Sequence, residues 1–344
     1  MTVSKRKSEH VAIASSREVR FRRKTTGFEA FDFIHCALPE LNPEDVSTET
    51  HFMGKTLSFP LMISPMTGGY DGALRINRQL SEICEAERIA LAVGSQRQIT
   101  ENDRHVDTFR IVRKRAPRTV VIGNIGAVQL IGIKDLSPIH RMVDLIEADA
   151  MAVHLNPLQE LLQPEGKAHF RGVLKGIERL VAGIGVPVVV KEIGCGISEP
   201  VARRLVAAGV PWVDVAGAGG TSWAGIESYR GHRAALAHRF WDWGIPTAEC
   251  IQAVRRVPGL RVIASGGIED GVTMAKALAL GAELCGSAQP LLKRLLVYKK
   301  QGLARLLQAW REELKTVLFL TGCRNVGALR SKPVLRNPGS VVSP

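Results

Sequence analysis

Between residues 59 and 320 the chain repeats one pattern eight times: a short apolar run, then a longer stretch with helical periodicity. The apolar runs lie at 59–64, 90–93, 119–122, 150–153, 187–190, 212–215, 261–264 and 283–285. Helical spacing occupies 73–87, 108–115, 138–146, 171–182, 199–208, 247–257 and 272–280, and a terminal helix is predicted over 291–320. Runs this short, apolar at every position, suit strands covered on both faces. Eight strand–helix units predict an α/β fold, a (β/α)8 TIM barrel. An open doubly wound sheet is the alternative, weakened because no G-x-G-x-x-G follows the first run. On this reading 1–50 is an N-terminal arm, 51–330 the barrel with a C-terminal helix, and 331–344 a tail.

Composition narrows the function classes. With 344 residues, 45% of them hydrophobic, there is ample material for one large core. No apolar run approaches the roughly 20 residues that span a bilayer, so no membrane span is expected. Residues 1–24 are polar and basic, without the apolar stretch of a secretory signal. The six cysteines form no C-x-x-C pair, which argues against a zinc site or a disulfide framework. A reduced, cytoplasmic protein is the expectation. The net charge of +13 fits nucleic acid, a polyanionic small molecule or simply a basic surface. The basic clusters at 5–7, 20–24 and 113–115 are dispersed and no nucleic-acid motif accompanies them. No nucleic-acid partner is expected, and salt-titrated filter binding checks it.

Every strand exit of such a barrel faces one mouth. Thr67, Ser95, Arg97, Asn124, His154, Gln159, Glu160, Lys191 and Thr221 should therefore converge. Residues 154–160 pack an imidazole, two carboxamides and a carboxylate behind a buried run, with Pro157 forcing a change of direction. This is either a capped strand-exit turn or part of a site. Lys191 closes an apolar run and must emerge into the mouth or be buried. Glycine turns follow the seventh and eighth strands, where barrels commonly bind phosphate. Glu160 is one of few acids at the mouth, a ligand for a divalent metal or a salt-bridge partner of Lys191 or Arg97. The arm residues 5–10 are solvated, or fold over an anionic ligand, with Phe28, Phe31, Phe33, Ile34 and Leu38 available to pin the rest of the arm to the barrel. The long aromatic-rich connection 221–247 is a lid or a surface insertion. The set is rich in donors and poor in carboxylates, as an anionic ligand requires.

Several motifs coincide in order: Arg6-Lys7-x-x-His10, Met66-Thr67-Gly68-Gly69, Gly94-Ser95-Gln96-Arg97, Gly123-Asn124, His154-Leu155-Asn156-Pro157-Leu158-Gln159-Glu160, Lys191-Glu192, and Gly217-x-Gly219-Gly220-Thr221-Ser222-Trp223. Together they resemble the type 2 isopentenyl diphosphate isomerases, from the arm to about residue 329. The resemblance implies an FMN-dependent barrel that interconverts isopentenyl and dimethylallyl diphosphate. It also implies Mg2+, flavin kept reduced by NADPH, and a homo-oligomer, tetramer or octamer. By position, Pro65, Met66, Thr67, Ser95, Asn124, Lys191 and Thr221 would contact FMN. Gly267, Ile268, Glu269, Ala288 and Gln289 would lie at its phosphate. Arg6, Lys7, His10, Ser95, Gln96, Arg97, His154, Asn156 and Gln159 would bind substrate, and Glu160 would ligate the metal. Reduced FMN would carry the proton transfer, assisted by Gln159 and His154.

Two residues depart from the family pattern. Ala216 stands where a serine is frequent, and Glu269 where an arginine is frequent. A carboxylate beside a phosphate is repulsive, so Glu269 is expected to point away and leave the contact to backbone N–H groups. Two related barrels fit less well. A 2-hydroxy acid oxidase needs a histidine base after strand 6 or 7, and these exits carry none. A purine-nucleotide dehydrogenase needs a nucleophilic cysteine in a mouth loop, for which Cys195 is the one candidate.

Overall fold

In the computed structural model, which describes residues 3–166 and 168–336, eight parallel strands close a barrel in sequence order. They are Leu61–Ile63, Ala90–Ala92, Val121–Gly126, Ala150–His154, Val188–Lys191, Trp212–Asp214, Arg261–Ser265 and Leu284–Ser287, and the eighth pairs with the first. The helices are α1 (Val3–Ser16), α2 (Ala73–Glu87), α3 (Asp107–Arg115), α4 (Ser137–Leu145), α5 (Pro157–Leu162), α6 (Val173–Gly183), α7 (Glu199–Ala207), α8 (Trp223–Tyr229), α9 (Ala234–Arg239), α10 (Thr247–Arg255), α11 (Gly271–Ala279), α12 (Gln289–Leu320) and α13 (Val326–Ser331). Every predicted strand and helix is present. α12 is interrupted at Lys299, where φ is 59°.

Local pattern explains these elements, and tertiary contact explains where they differ from expectation. The third strand runs on through Gly123 to Gly126, which sequence alone reads as an exit turn. A Cβ on Gly123 would stand 2.7 Å from Met151 Sδ, and one on Gly126 2.2 Å from Gln129 Oε1. These glycines mark close approach inside a strand, not a turn. Pro157 occupies the first turn of α5, where its missing N–H is harmless, so it starts a six-residue helix.

Inside the barrel, Met62, Ala90, Ala92, Ile122, Ala150, Ala152, Val189, Trp212, Ile263 and Leu284 form one apolar cluster. A hairpin of Thr50–Phe52 and Lys55–Leu57 adds Phe52 and Leu57 to that cluster. The Phe52 and Trp212 rings meet edge to face with centroids 5.0 Å apart. Lys55 ties the hairpin to Asp149 at 2.7 Å, at the start of the fourth strand. The hairpin therefore stoppers the end of the barrel remote from the strand exits. Outward strand residues and the helices' apolar faces form the larger outer core.

The arm divides in two. Phe28 and Phe31 are buried and Phe33 packs against the outer core, while the Ile34 and Leu38 side chains stay exposed. Asp32–Phe33 pairs with Leu335–Arg336; the rest of the predicted tail, 337–344, lies outside the described residues. α1 has no fully buried residue. The 221–247 connection folds into α8 and α9, which pack on α5 through Ala224, Ala237, Leu158 and Leu162. Among the described residues no helix is long and apolar enough to cross a membrane.

Candidate active site

The floor of the site follows from the strand period of two. Each barrel strand points an apolar residue into the interior, and the residue two positions later points the same way at the mouth. From Met62, Ala92, Ile122, Ala152, Val189, Trp212, Ile263 and Leu284 this rule gives Ser64, Gly94, Asn124, His154, Lys191, Asp214, Ser265 and Gly286. All but Asp214 line a single cavity. Chemistry thus begins where the apolar barrel interior ends.

The floor is cross-linked. His154 Nδ1 lies 2.8 Å from Asn124 Oδ1. That oxygen only accepts, so Nδ1 carries the proton and Nε2 keeps its lone pair. Burial, and then the charges of Lys191, Arg6 and Lys7, push His154 down to about 3. It is a neutral imidazole near pH 7. Lys191 is buried, donates to the Glu192 carbonyl, and stands 3.8 Å from Asp214. Asp214 also accepts from Ser265 Oγ at 2.6 Å. Glu192 lies beneath the next loop, its carboxylate accepting the N–H groups of Ile193, Gly194 and Cys195. Asp214 and Glu192 were not predicted as site residues. Position two after an inward Trp212 was the available signal for Asp214.

The strand-4 turn forms one wall. Asn156 precedes α5 but makes no side-chain cap. Its amide instead donates to Gln159 Oε1 and Glu160 Oε1, both at 3.0 Å. The turn at 154–160 thus carries no side-chain helix cap at Asn156. Lys191 has its ion pair with Asp214 and Arg97 has one with Glu101 at 3.6 Å.

The arm forms the roof. α1 presents Arg6, Lys7 and His10 to the cavity. Lys7 Nζ donates to Gly68 O at 2.9 Å and Ser95 O at 2.5 Å. Burial, then the charge of Arg6, pushes Lys7 down to about 7. His10 Nε2 lies 2.8 Å from Glu227 Oε1, and Glu227 also accepts from Gln159 at 3.4 Å. Glu227 belongs to α8 and was missed, because nothing local distinguishes it from a solvated helix acid.

Opposite lies a glycine cradle. A Cβ on Gly266 would stand 2.1 Å from Gly217 O, and one on Gly220 2.4 Å from Gly267 N. The loops after strands 6 and 7 are therefore packed backbone to backbone. Ala288 offers α12 no side-chain cap at the cavity wall. Such a wall can present backbone N–H groups to a phosphate. Glu269 is on this wall, its carboxylate 2.7 Å from Arg20, so its charge is neutralised. Buried Ser64 Oγ and Asn156 Oδ1 have no hydrogen-bond partner among the described residues. The floor, the cradle and these polar atoms fit a flavin with its phosphate.

Pro65, Met66, Ser95, Arg97, Thr221, Gly267, Ile268 and Gln289 also line the cavity. Two predicted contacts do not. The Gln96 side chain turns away to Met142 O and the Asn124 N–H. Thr67 Oγ1 donates to Asn77 Oδ1, leaving Thr67 to hold the loop in shape. Both side chains satisfy buried backbone or amide groups, a demand set by neighbours distant in sequence. Cys195 lies off the cavity, and burial followed by Glu192 raises its thiol pKa, the opposite of nucleophile activation.

The model of the FMN-dependent dehydrogenase family matches residues 1–111 and 145–336. An isopentenyl-diphosphate delta-isomerase of Pelodictyon phaeoclathratiforme is 44% identical, covering 97% of this chain and 98% of that protein. Proteins of the same name from a Nostoc species and from Methanothermobacter thermautotrophicus are 45% and 42% identical, covering 94% and 97% of this chain and 93% of each relative. Among solved structures, a flavocytochrome b2 variant superposes with a TM-score of 0.71 at 16% identity, over 96% of this chain and 83% of that one. A mandelate oxidase gives 0.61 at 19%, over 96% and 91%. These two share the fold. The chain belongs to the FMN-dependent dehydrogenase family and, within it, to the isopentenyl-diphosphate delta-isomerases.

Proposed function

We propose that the protein interconverts isopentenyl and dimethylallyl diphosphate, using reduced FMN and Mg2+. The observation that carries this reading is the placement of Arg6, Lys7 and Arg97 around one cavity with the strand-4 turn and the glycine cradle. A cationic rim suits a diphosphate, and a floor of small and uncharged groups beside Lys191 suits a flavin. Asn124, Lys191, Ser95, Thr221, Pro65 and Met66 would hold the ring. Backbone at 267–269 and 288–289 would hold the phosphate. When bound and reduced, FMN supplies the proton transfer at the alkene.

The chain's own residues supply placement and field. Arg6, Lys7, His10 and Arg97 bind the diphosphate and so fix the alkene's position. The ammonium of Lys191, held by Asp214, favours negative charge on the cofactor. His154, neutral and donating to Asn124, offers Nε2 as an acceptor and adds no positive charge where carbocation character develops. Gln159 is oriented by Asn156 on one side and Glu227 on the other. Among the described residues no cluster of three or more His, Cys, Asp or Glu could hold a metal. Glu160 would therefore bind Mg2+ jointly with substrate oxygens and water, the usual habit of that ion. NADPH as reductant and assembly into a tetramer or octamer belong to the same reading.

Purified protein is expected to be yellow, to bleach with NADPH or dithionite, and to isomerise isopentenyl diphosphate only when reduced and supplied with Mg2+. Colourless protein that stays inactive after FMN addition would sink the proposal. Glu160→Gln is expected to weaken Mg2+-dependent substrate binding about tenfold or more, as loss of a charged metal ligand should. An unchanged Mg2+ dependence removes the metal assignment.

A further inference from the structure

Arg230 follows α8 and does not line the cavity, yet its side chain is only 3% exposed. It binds carboxylates from three separate segments. Glu9 of α1 lies at 3.2 Å, Glu165 in the turn after α5 at 3.0 Å, and Glu227 of α8 at 2.9 Å. Glu227 reaches on to His10 of α1 and to Gln159 of α5. α1 buries no residue completely, so polar contacts must supply much of what seats it. A buried guanidinium needs its charge paired and its donors hydrogen-bonded, and breaking such a pair is costly. Here the carboxylates converge only if the arm and the turn after α5 are both in place.

We propose that Arg230 is a positioning residue that couples the seating of α1 to the seating of the α5 turn. This rests on the proposed function, because the two segments carry the cationic and the metal-binding sides of the diphosphate site. Through Arg230 the two sides close on substrate as one unit. Neither Arg230 nor Glu9 nor Glu165 lines the cavity, but the charges of Glu165 and Arg230 are felt at Arg6, so the seating of α1 needs a readout separate from substrate binding.

The test uses the full-length, FMN-loaded protein and the variants Glu9→Gln, Glu165→Gln, Arg230→Lys and Arg230→Gln. Tryptic cleavage at Lys5, Arg6 and Lys7 reads the seating of α1, and KM and kcat for isopentenyl diphosphate read its consequence. Glu165→Gln is expected to speed α1 cleavage and raise KM about fivefold each, with kcat within about twofold, a size typical of coupled neighbours. In an Arg230→Gln background, Glu165→Gln should change neither further. Arg230→Lys replaces that background if Arg230→Gln does not fold. Cleavage at the wild-type rate in Glu165→Gln, or equal effects with and without Arg230, would overturn the coupling and leave Arg230 a local brace of α8. If wild type does not isomerise at all, the proposed function fails, while the cleavage cycle still decides the coupling.

Discussion

Lys7 shows burial and charge in direct opposition. Its ammonium reaches two carbonyls, but burial and Arg6 push it down to about 7. With the arm open, a lysine keeps its proton to near 10.5. Between these values the open state binds more protons, so without ligand the seated arm gains stability as pH rises from about 7 to 10.5 and loses it as pH falls. A diphosphate reverses the balance by favouring the charged form. Substrate binding at pH 8–9 is therefore expected to take up a proton, approaching about one per site. Calorimetry in buffers of different ionisation enthalpy measures this. Lys7→Arg, which cannot deprotonate, should abolish the uptake. Equal uptake in that variant would assign it elsewhere. The sequence placed His154 at the mouth and left Lys7 open between solvent and an anionic ligand. Their protonation was not legible there, since it depends on which charges share the cavity.

At the scale of elements, the turn after strand 7 and helix α1 do opposite jobs. Gly267 has a φ of 76°, and a Cβ would stand 2.3 Å from Thr26 Cγ2. Gly267→Ala is expected to destabilise the protein by about 1–3 kcal/mol and to weaken FMN more than riboflavin, which lacks the phosphate. Fluorescence titration of the two flavins checks this, and equal losses would move the phosphate away from the turn. α1 instead lacks fully buried residues. A chain beginning after residue 16 should unfold within a few degrees of the intact protein, yet its KM should rise at least tenfold through loss of the three proposed diphosphate contacts at Arg6, Lys7 and His10. A large fall in melting temperature would make α1 part of the core. The double glycine was legible because backbone freedom is a local property. The seating of α1 was left open between a solvated arm and a cover, because its residues pair with partners on α8 and in the strand-2 turn.

For the whole molecule, the barrel has a dry end and a wet end. Phe52 and Leu57 close the first against Trp212, and the polar layer from Ser64 to Gly286 opens the second. Phe52→Ala should cost about 3–5 kcal/mol in denaturant unfolding, as loss of a buried aromatic does, while kcat/KM of the folded fraction stays near wild type. A large fall in kcat/KM would mean that the stopper shapes the mouth. The hairpin was not predicted. Its strands span three residues each, too short for periodicity to register.

The sequence by itself determined the barrel and the positions of the strand exits, because strand and helix periods are written in neighbouring residues. That is why His154, Asn156, Gln159, Glu160 and Lys191 could be placed at the mouth from their order in the chain. Tertiary structure alone decided that Gln96 and Thr67 face away, that Asp214 lies beneath Lys191, and that Glu227 and Arg230 join the arm to the α5 turn. Those outcomes rest on contacts such as Arg230 with Glu9, 221 positions apart. Burial and convergent charge exist only once the chain has closed on itself, and no local pattern records them.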